Sequence, residues 1–90
     1  MQQEKRHQND TVTVMGIVVP RQWDEQFHVT EVLIACKDER EILVENFESL
    51  PSLLSLSRAE AVFTGVVRKE CGVESMVVES FAPVENNIPG

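Results

Sequence analysis

The sequence predicts an all-β fold, a small closed barrel of five strands with one short helix. Short runs of β-forming residues are separated by turn residues along most of the chain. Two of these runs, VMGIV around Gly16 and FTGVV around Gly65, carry a lone glycine in the middle. Glycine weakens a strand interior, so this position indicates a bulge, a sharp bend or a close backbone approach, as when a small sheet curls on itself.

The length and the two ends of the chain set its domain organisation. A chain of 90 residues suits one domain and buries about 60–65% of the surface that its unfolded form exposes. We expect residues 11–82 to form the barrel. The first ten residues are polar, and we expect residues 1–10 to be a flexible N-terminal tail and residues 83–90 a C-terminal tail.

The first strand is predicted from Thr11 to Val19. Threonine and valine alternate there before the glycine, which is typical of a strand. Pro20 is expected to end it, because proline cannot donate a hydrogen bond to a neighbouring strand. The segment from Arg21 to Gln26 is polar apart from Trp23 and is predicted to be a hairpin connection.

The second strand is predicted from Phe27 to Lys37. Its centre, VLIA at residues 32–35, is a continuous apolar run. Such a run indicates burial on both sides or an exposed apolar stripe. An irregular strand with a bulge near Glu31 is the alternative, and the commoner case.

The third strand is predicted from Arg40 to Glu45, after a turn at residues 37–39. If Ile42 and Val44 point into the barrel, the alternation of a strand puts Glu41, Leu43 and Glu45 on the outer face. Two carboxylates on that face would repel phosphate.

A change of period predicts a short helix over residues 49–57. Leu50, Leu53 and Leu54 fall at positions i, i+3 and i+4, Ser49 can cap, and Pro51 sits in the first turn. A helix this short is marginal alone, so we expect its leucines to pack over an open end of the barrel.

The last two strands form a predicted hairpin. The fourth runs from Ala61 to Lys69, residues 70–72 make a tight turn, and the fifth runs from Val73 to Phe81. The predicted order is therefore β-β-β-α-β-β.

This order, with a glycine in strands one and four, resembles the OB-fold, especially the small anticodon-binding type of nucleic-acid-binding barrel. The resemblance covers nearly all of residues 11–82 and implies a partly open five-stranded Greek-key barrel. Ligands of that fold lie on the face of strands two and three, between the first and last hairpin loops. The motif is a signature of fold more than of function, because unrelated activities share this scaffold.

The resemblance also implies site residues. Single-strand binders of this fold combine basic groups along the nucleic-acid backbone with aromatic platforms on which bases stack. The residues implied for nucleic-acid binding are Arg21, Trp23, Phe27, His28, Lys37, Arg40, Arg68 and Lys69. Two other interpretations stay open: Trp23 as an apolar plug of the barrel mouth, and Arg68 and Lys69 as a solvated strand end.

Charge and composition exclude several classes of function. The net charge of -7 argues against general adhesion to phosphate backbones or anionic membranes. No segment approaches the roughly 18 apolar residues of a membrane span, and the N-terminus has no apolar signal region. We expect a soluble cytoplasmic protein with two reduced thiols, Cys36 buried in a strand and Cys71 in a turn.

Catalysis and cofactor binding find little support in the sequence. Nothing spaces a nucleophile, a base and an orienting acid in a recognisable way, and one of the two histidines, His7, lies in the predicted tail. The glycines form no phosphate-binding loop, and no zinc ligand set has the usual spacing. The sequence therefore predicts a non-enzymatic protein without a cofactor.

Two hypotheses follow, from different classes. The first is a binder of single-stranded RNA or DNA, with Trp23 stacking on bases and the basic residues above contacting phosphates. The second is a protein-interaction module that uses the acidic strand-three face, the apolar run or a sheet edge, a homodimer through strand edges being a special case. The first is slightly favoured, because nucleic acid is the commonest ligand class of the resembling fold.

Overall fold

A computed structural model describes residues 11–56 and 58–84. Its five strands form a closed barrel in the order β1-β2-β3-β5-β4, which confirms the predicted all-β barrel. The strands are β1 Thr11–Trp23, β2 Val29–Ala35, β3 Glu41–Val44, β4 Glu60–Glu70 and β5 Val73–Pro83. The predicted tail of residues 1–10, and residues 85–90 of the other tail, lie outside the described residues.

One apolar core fills the barrel. Every strand contributes to it, because alternate side chains of a strand point to opposite faces. In β3, Ile42 and Val44 are buried while Glu41 is exposed, as predicted. The buried side chains are Val14, Val18, Val32, Ile34, Ile42, Val44, Phe47, Leu53, Leu56, Ala61, Phe63, Met76 and Val78.

The first strand is longer than predicted. Pro20 does not end β1: it pairs with Val32, and the strand continues to Trp23. The pairing shifts register on both sides of Gln22, which lies opposite Glu31, so the expected irregularity near Glu31 is present. A proline is tolerated beside such a shift because the ladder of hydrogen bonds is already interrupted there. The predicted hairpin connection therefore shrinks to residues 24–28.

The second strand is shorter than predicted. Phe27, with a φ of 67°, and His28 belong to the loop before it. Cys36 follows the strand and is half-buried, so the prediction of a buried strand cysteine was wrong. Val32 and Ile34 are buried while Leu33 is partly exposed, so the apolar run leaves Leu33 on the outer face.

The predicted helix is not an α-helix. Two 3₁₀ helices, Phe47–Ser49 and Pro51–Leu56, stand in its place. With three residues per turn, Leu50, Leu53 and Leu56 share a face, and the last two of these leucines are buried. Ser49 is the last residue of the first of these helices.

The two strand-interior glycines allow close contacts between backbones. A Cβ on Gly16 would lie 2.6 Å from the carbonyl oxygen of Ala35, and a Cβ on Gly65 would overlap the carbonyl oxygen of Val77. Gly16 comes just before Ile17, which pairs with both β4 and β2. Neither glycine has a positive φ. Their role is therefore to let the sheet coil into a barrel.

Asn46 extends the contact between β3 and β5. These strands pair in parallel from Ile42 to Val44. The Asn46 side-chain amide donates to the Val78 carbonyl oxygen at 2.9 Å, and the Val78 amide donates to Asn46 Oδ1 at 3.0 Å. One side chain thus satisfies both backbone groups of Val78 where β3 has already ended.

Candidate binding groove

A groove crosses the outer face of β2 and β3. Leu33 of β2 and Leu43 of β3 are paired in the sheet, and both side chains line this groove. Its volume is about 380 Å³. We call it the acidic groove, and it is lined by Arg21, Leu33, Glu39, Glu41, Leu43, Gly72, Val73 and Glu74.

The β4–β5 hairpin forms one end of the acidic groove. Its turn residues, Cys71 and Gly72, have φ values of 54° and 81°, the sign pattern of a type I′ turn. Cys71 lies in the turn, as predicted, and is exposed. Arg21, in the last part of β1, lines the groove from another strand. The groove thus lies across β2 and β3, with Arg21 of β1 and the β4–β5 turn at its borders.

Carboxylates dominate the charge of the groove. Three glutamates and one arginine line it. Arg21 is paired with Glu31, and Glu74 with Arg40. Glu39 and Glu41 take part in no ion pair within residues 11–56 and 58–84. The groove therefore presents two apolar side chains flanked by uncompensated negative charge.

Four of the five basic residues predicted to contact phosphate are held by carboxylates instead. The pairs are Arg21–Glu31 at 2.8 Å, Lys37–Glu60 at 3.7 Å, Arg40–Glu74 at 2.7 Å and Arg68–Glu45 at 2.6 Å. Each pair cancels the positive charge that a phosphate would meet. Lys69 is exposed and pairs across the hairpin with Glu74 in the sheet register.

The predicted basic residues do not share one surface. Arg21 lines the acidic groove, whereas Lys37 lines a second cleft beside β1, together with Arg40. Arg68 donates two hydrogen bonds to Glu45, which also accepts one from the hydroxyl of Ser75. Arg68 is thus drawn toward the end of β3 by a local network.

Two exposed aromatic side chains lie at the end of β1 and in the loop of residues 24–28 that follows it. Trp23 is 54% exposed and Phe27 is 84% exposed, so Trp23 does not plug the barrel mouth. Asp24 Oδ1 accepts from the backbone amides of Gln26 and His28. These bonds, that of His28 first, lower the pKa of Asp24. His28 lies against the same carboxylate, with 3.6 Å between Nδ1 and Oδ2.

Two ion pairs near the groove lower the pKa of their carboxyl groups. Hydrogen bonds from Arg40 hold the pKa of Glu74 below its ordinary value of 4.5. Hydrogen bonds from Arg68, and then from Ser75, do the same for Glu45. The side chains of Glu74 and Glu45 are 21% and 24% exposed. The charged form of each is therefore favoured in the folded state.

We expect these lowered pKa values to make the stability of the barrel sensitive to acid. A carboxyl group with a lowered folded-state pKa contributes stability above its unfolded pKa, and this is lost as pH falls through the folded pKa. We expect the free energy of unfolding to fall below about pH 4.5. Glu74→Gln should remove part of the difference between urea midpoints at about pH 7 and about pH 3.

The matched control for this acid effect is Glu79→Gln. Glu79 is an exposed carboxylate of the same strand that takes part in no ion pair among the described residues. Glu79→Gln removes the same charge as Glu74→Gln, and we expect the difference between the urea midpoints at about pH 7 and about pH 3 to stay as in wild type. Equal acid loss in wild type and Glu74→Gln would show that the Arg40–Glu74 pair contributes nothing to stability.

Sequence reasoning missed three residues of the groove: Glu39, Val73 and Glu74. Glu39 lies in a predicted turn, and Glu74 lies near the start of a strand. No local sequence pattern links either charge to the face of strands two and three. Both reach the groove because β3 and β5 run parallel, with Ile42 opposite Glu74. Only the spatial order of the strands carries this information.

No family model, curated protein or solved structure matches this chain. In the part of the chain that the structure describes, no helix is long and apolar enough to cross a membrane. Within those same residues, no three His, Cys, Asp or Glu side chains are placed to hold a metal ion together.

Proposed function

We propose that this barrel is a non-enzymatic protein-interaction module of the OB-fold type, whose acidic groove binds a basic, extended segment of a partner protein. The observation that carries the proposal is the combination in one groove of an apolar pair, Leu33 and Leu43, with the carboxylates of Glu39 and Glu41. The free thiols of Cys36 and Cys71 support the cytoplasm as its location.

Strand order supports the OB-fold assignment. The closed order β1-β2-β3-β5-β4, with β3 parallel to β5, agrees with a five-stranded Greek-key barrel. The helical segment between β3 and β4 is also in the expected position. The groove lies across β2 and β3, which is the usual ligand face of that fold.

Charge supports a basic ligand. Long-range attraction is set by the uncompensated charges, and in this groove these are Glu39 and Glu41. A phosphate backbone would meet repulsion there. A lysine or arginine side chain would meet attraction, while an apolar residue beside it could cover the two leucines. A segment that alternates basic and apolar residues fits this pattern when extended.

The proposal is tested with a synthetic peptide of about eight residues that alternates lysine and valine, a length that suits a strand. We expect backbone amide signals of Leu33 and Leu43 to shift on addition of the peptide. Combined Glu39→Gln and Glu41→Gln should weaken binding by about tenfold, because two favourable charges are lost. The dissociation constant should rise with ionic strength.

The control removes two carboxylates that do not line the groove, by Glu25→Gln with Glu79→Gln. It matches the change in net charge, and we expect affinity within about twofold of wild type. Equal weakening by the control would mean that the peptide responds to net charge and that the groove is not the site. Absence of binding at low salt would also contradict the proposal.

A second candidate is binding of single-stranded nucleic acid, which the two exposed aromatics favour. Trp23 ends β1, two residues after Arg21, and Phe27 lies in the loop that follows. Both side chains are exposed, and exposed aromatic side chains suit base stacking. Trp23 is the one tryptophan and the chain has no tyrosine, so its emission reports directly on this loop. Salt-dependent quenching by a short oligonucleotide, lost in Trp23→Leu, with no response to the peptide, would favour this candidate over the first.

A further inference from the structure

The first half of β1 is an open sheet edge. β1 pairs with β4 from Thr11 to Ile17, whereas its pairing with β2 begins only at Ile17. Among the described residues, no strand pairs with the other side of residues 11–16. A cleft of about 370 Å³ runs along this edge, between residues 13–15 and residues 36–40. There is thus room beside backbone groups that can still pair.

This edge lacks the features that normally prevent strand pairing. Natural edges are blunted by charges, prolines or bulges. β5 has such features where it extends past β3: the pairing shifts register at Glu79, and the strand ends at Pro83. Residues 11–16, TVTVMG, contain no charge and no proline, and their pairing with β4 shows no register shift.

We propose that residues 11–15 of β1 pair, antiparallel, with the same residues of a second copy of this chain to form a symmetric dimer. This surface is separate from the acidic groove, so the inference does not depend on the proposed function. A register centred on Thr13 pairs residues 11–15 of the two copies: Thr13 lies opposite Thr13, Val12 opposite Val14, and Thr11 opposite Met15. The two copies together form one continuous sheet.

Charge favours a second copy as the occupant. Two chains of net charge -7 repel each other wherever carboxylates meet. The edge strand is uncharged, and the charged residues of the cleft balance. They are two cations, Lys37 and Arg40, and two carboxylates, Asp38 and Glu60. The edge is therefore a place where copies of an acidic protein meet without opposing like charges.

The distribution of open edges favours a dimer over a longer assembly. An open chain of copies needs two different competent edges on each molecule, whereas a two-fold pair uses one edge twice. Of the two edges described above, that of β5 is blunted and that of β1 is not. Pairing of the β1 edge with itself is closed after two copies, because each copy contributes that edge once.

The test is sedimentation velocity of the full chain over a range of concentrations. We expect a reversible dimer in wild type. Thr13→Lys should raise the dissociation constant of the dimer by about tenfold or more, because like charges directly opposite across two strands are destabilising. Thr13 is exposed, so this variant should fold, and circular dichroism checks that it does.

The matched control is Ser80→Lys. Ser80 is exposed and lies in β5 on the far side of β4, opposite Thr64, which itself pairs with Thr13. Ser80→Lys adds the same charge to the same sheet, away from the β1 edge, and we expect the dissociation constant of the dimer to stay as in wild type. Equal disruption by both variants would place the contact on the sheet face and overturn the proposal.

Three other outcomes would also overturn it. One is a monomer at all concentrations up to about 1 mM, the range of very weak association. Another is an assembly that grows beyond two copies. The third is a monomer in which deletion of residues 1–10 abolishes hydrogen-exchange protection of the edge amides, since this would identify the occupant as the chain's own N-terminal segment.

Discussion

Gly65→Ala is expected to lower the free energy of unfolding by about 3 kcal/mol or more, the upper part of the range for overpacked sites. The added Cβ would overlap the carbonyl oxygen of Val77 and approach the α-carbon of Val78 at 3.0 Å. Both atoms belong to the backbone of β5, so no side-chain rotation relieves the overlap. The variant must separate β4 from β5 at the point where the sheet coils. Urea unfolding followed by circular dichroism measures the loss.

Thr64→Val is the matched control for Gly65→Ala. Thr64 precedes Gly65, is partly exposed and keeps a β-branched side chain on substitution. We expect the free energy of unfolding to change by no more than about 0.5 kcal/mol.

Gly16→Ala should also be destabilising, because its Cβ would lie 2.6 Å from the Ala35 carbonyl oxygen and 2.8 Å from Ile34 Cγ2. Wild-type stability in both glycine variants would contradict the close-approach role of these residues.

Asn46→Ala is expected to cost about 2–3 kcal/mol, because it leaves buried backbone groups without partners. In the wild type the Asn46 amide bonds both the N–H and the C=O of Val78. Val78 is only 3% exposed, so water replaces these bonds poorly. The loss should appear in the free energy of unfolding and as faster hydrogen exchange at the Val78 amide.

Asn46→Asp separates the two hydrogen bonds of Asn46. Its carboxylate can accept from the Val78 amide but cannot donate to the Val78 carbonyl, so we expect a loss of stability relative to wild type at about pH 7. Protonation restores a donor. Because the folded state favours the protonated form, its pKa is raised there, and the loss relative to wild type should shrink at about pH 4. A stable Asn46→Ala protein would contradict the role of Asn46.

The strands were largely predictable from the sequence, but their ends were not. Alternation in β3 and the position of the β4–β5 turn follow from local pattern, and both were confirmed. Pro20 is a local signal that tertiary structure overrode, because the register shift beside it removes the cost of the missing donor. The leucine segment was placed correctly but given the wrong period. Leu50, Leu53 and Leu54 fit an α-helix, whereas the buried leucines of the 3₁₀ helix, Leu53 and Leu56, are three residues apart.

The candidate site was predictable only in part. The outer placement of Glu41 and Leu43 followed from alternation, and the resemblance indicated the face of strands two and three. The partners of the basic residues could not be predicted. Arg40 meets Glu74 and Arg68 meets Glu45 across 34 and 23 positions of sequence. These pairs exist because β3 lies beside β5, and they remove the free positive charge that favoured nucleic acid.

Sequence by itself determined the class of fold and the positions where the sheet must coil. Strand alternation and the intolerance of a close backbone contact for a Cβ are local properties, so Gly16 and Gly65 express them directly. Tertiary structure alone decided which charges cancel, where the groove lies and which part of β1 has no neighbour. These three features depend on contacts between residues far apart in the chain. Ion pairs and open strand edges exist only once the strands are in their final order.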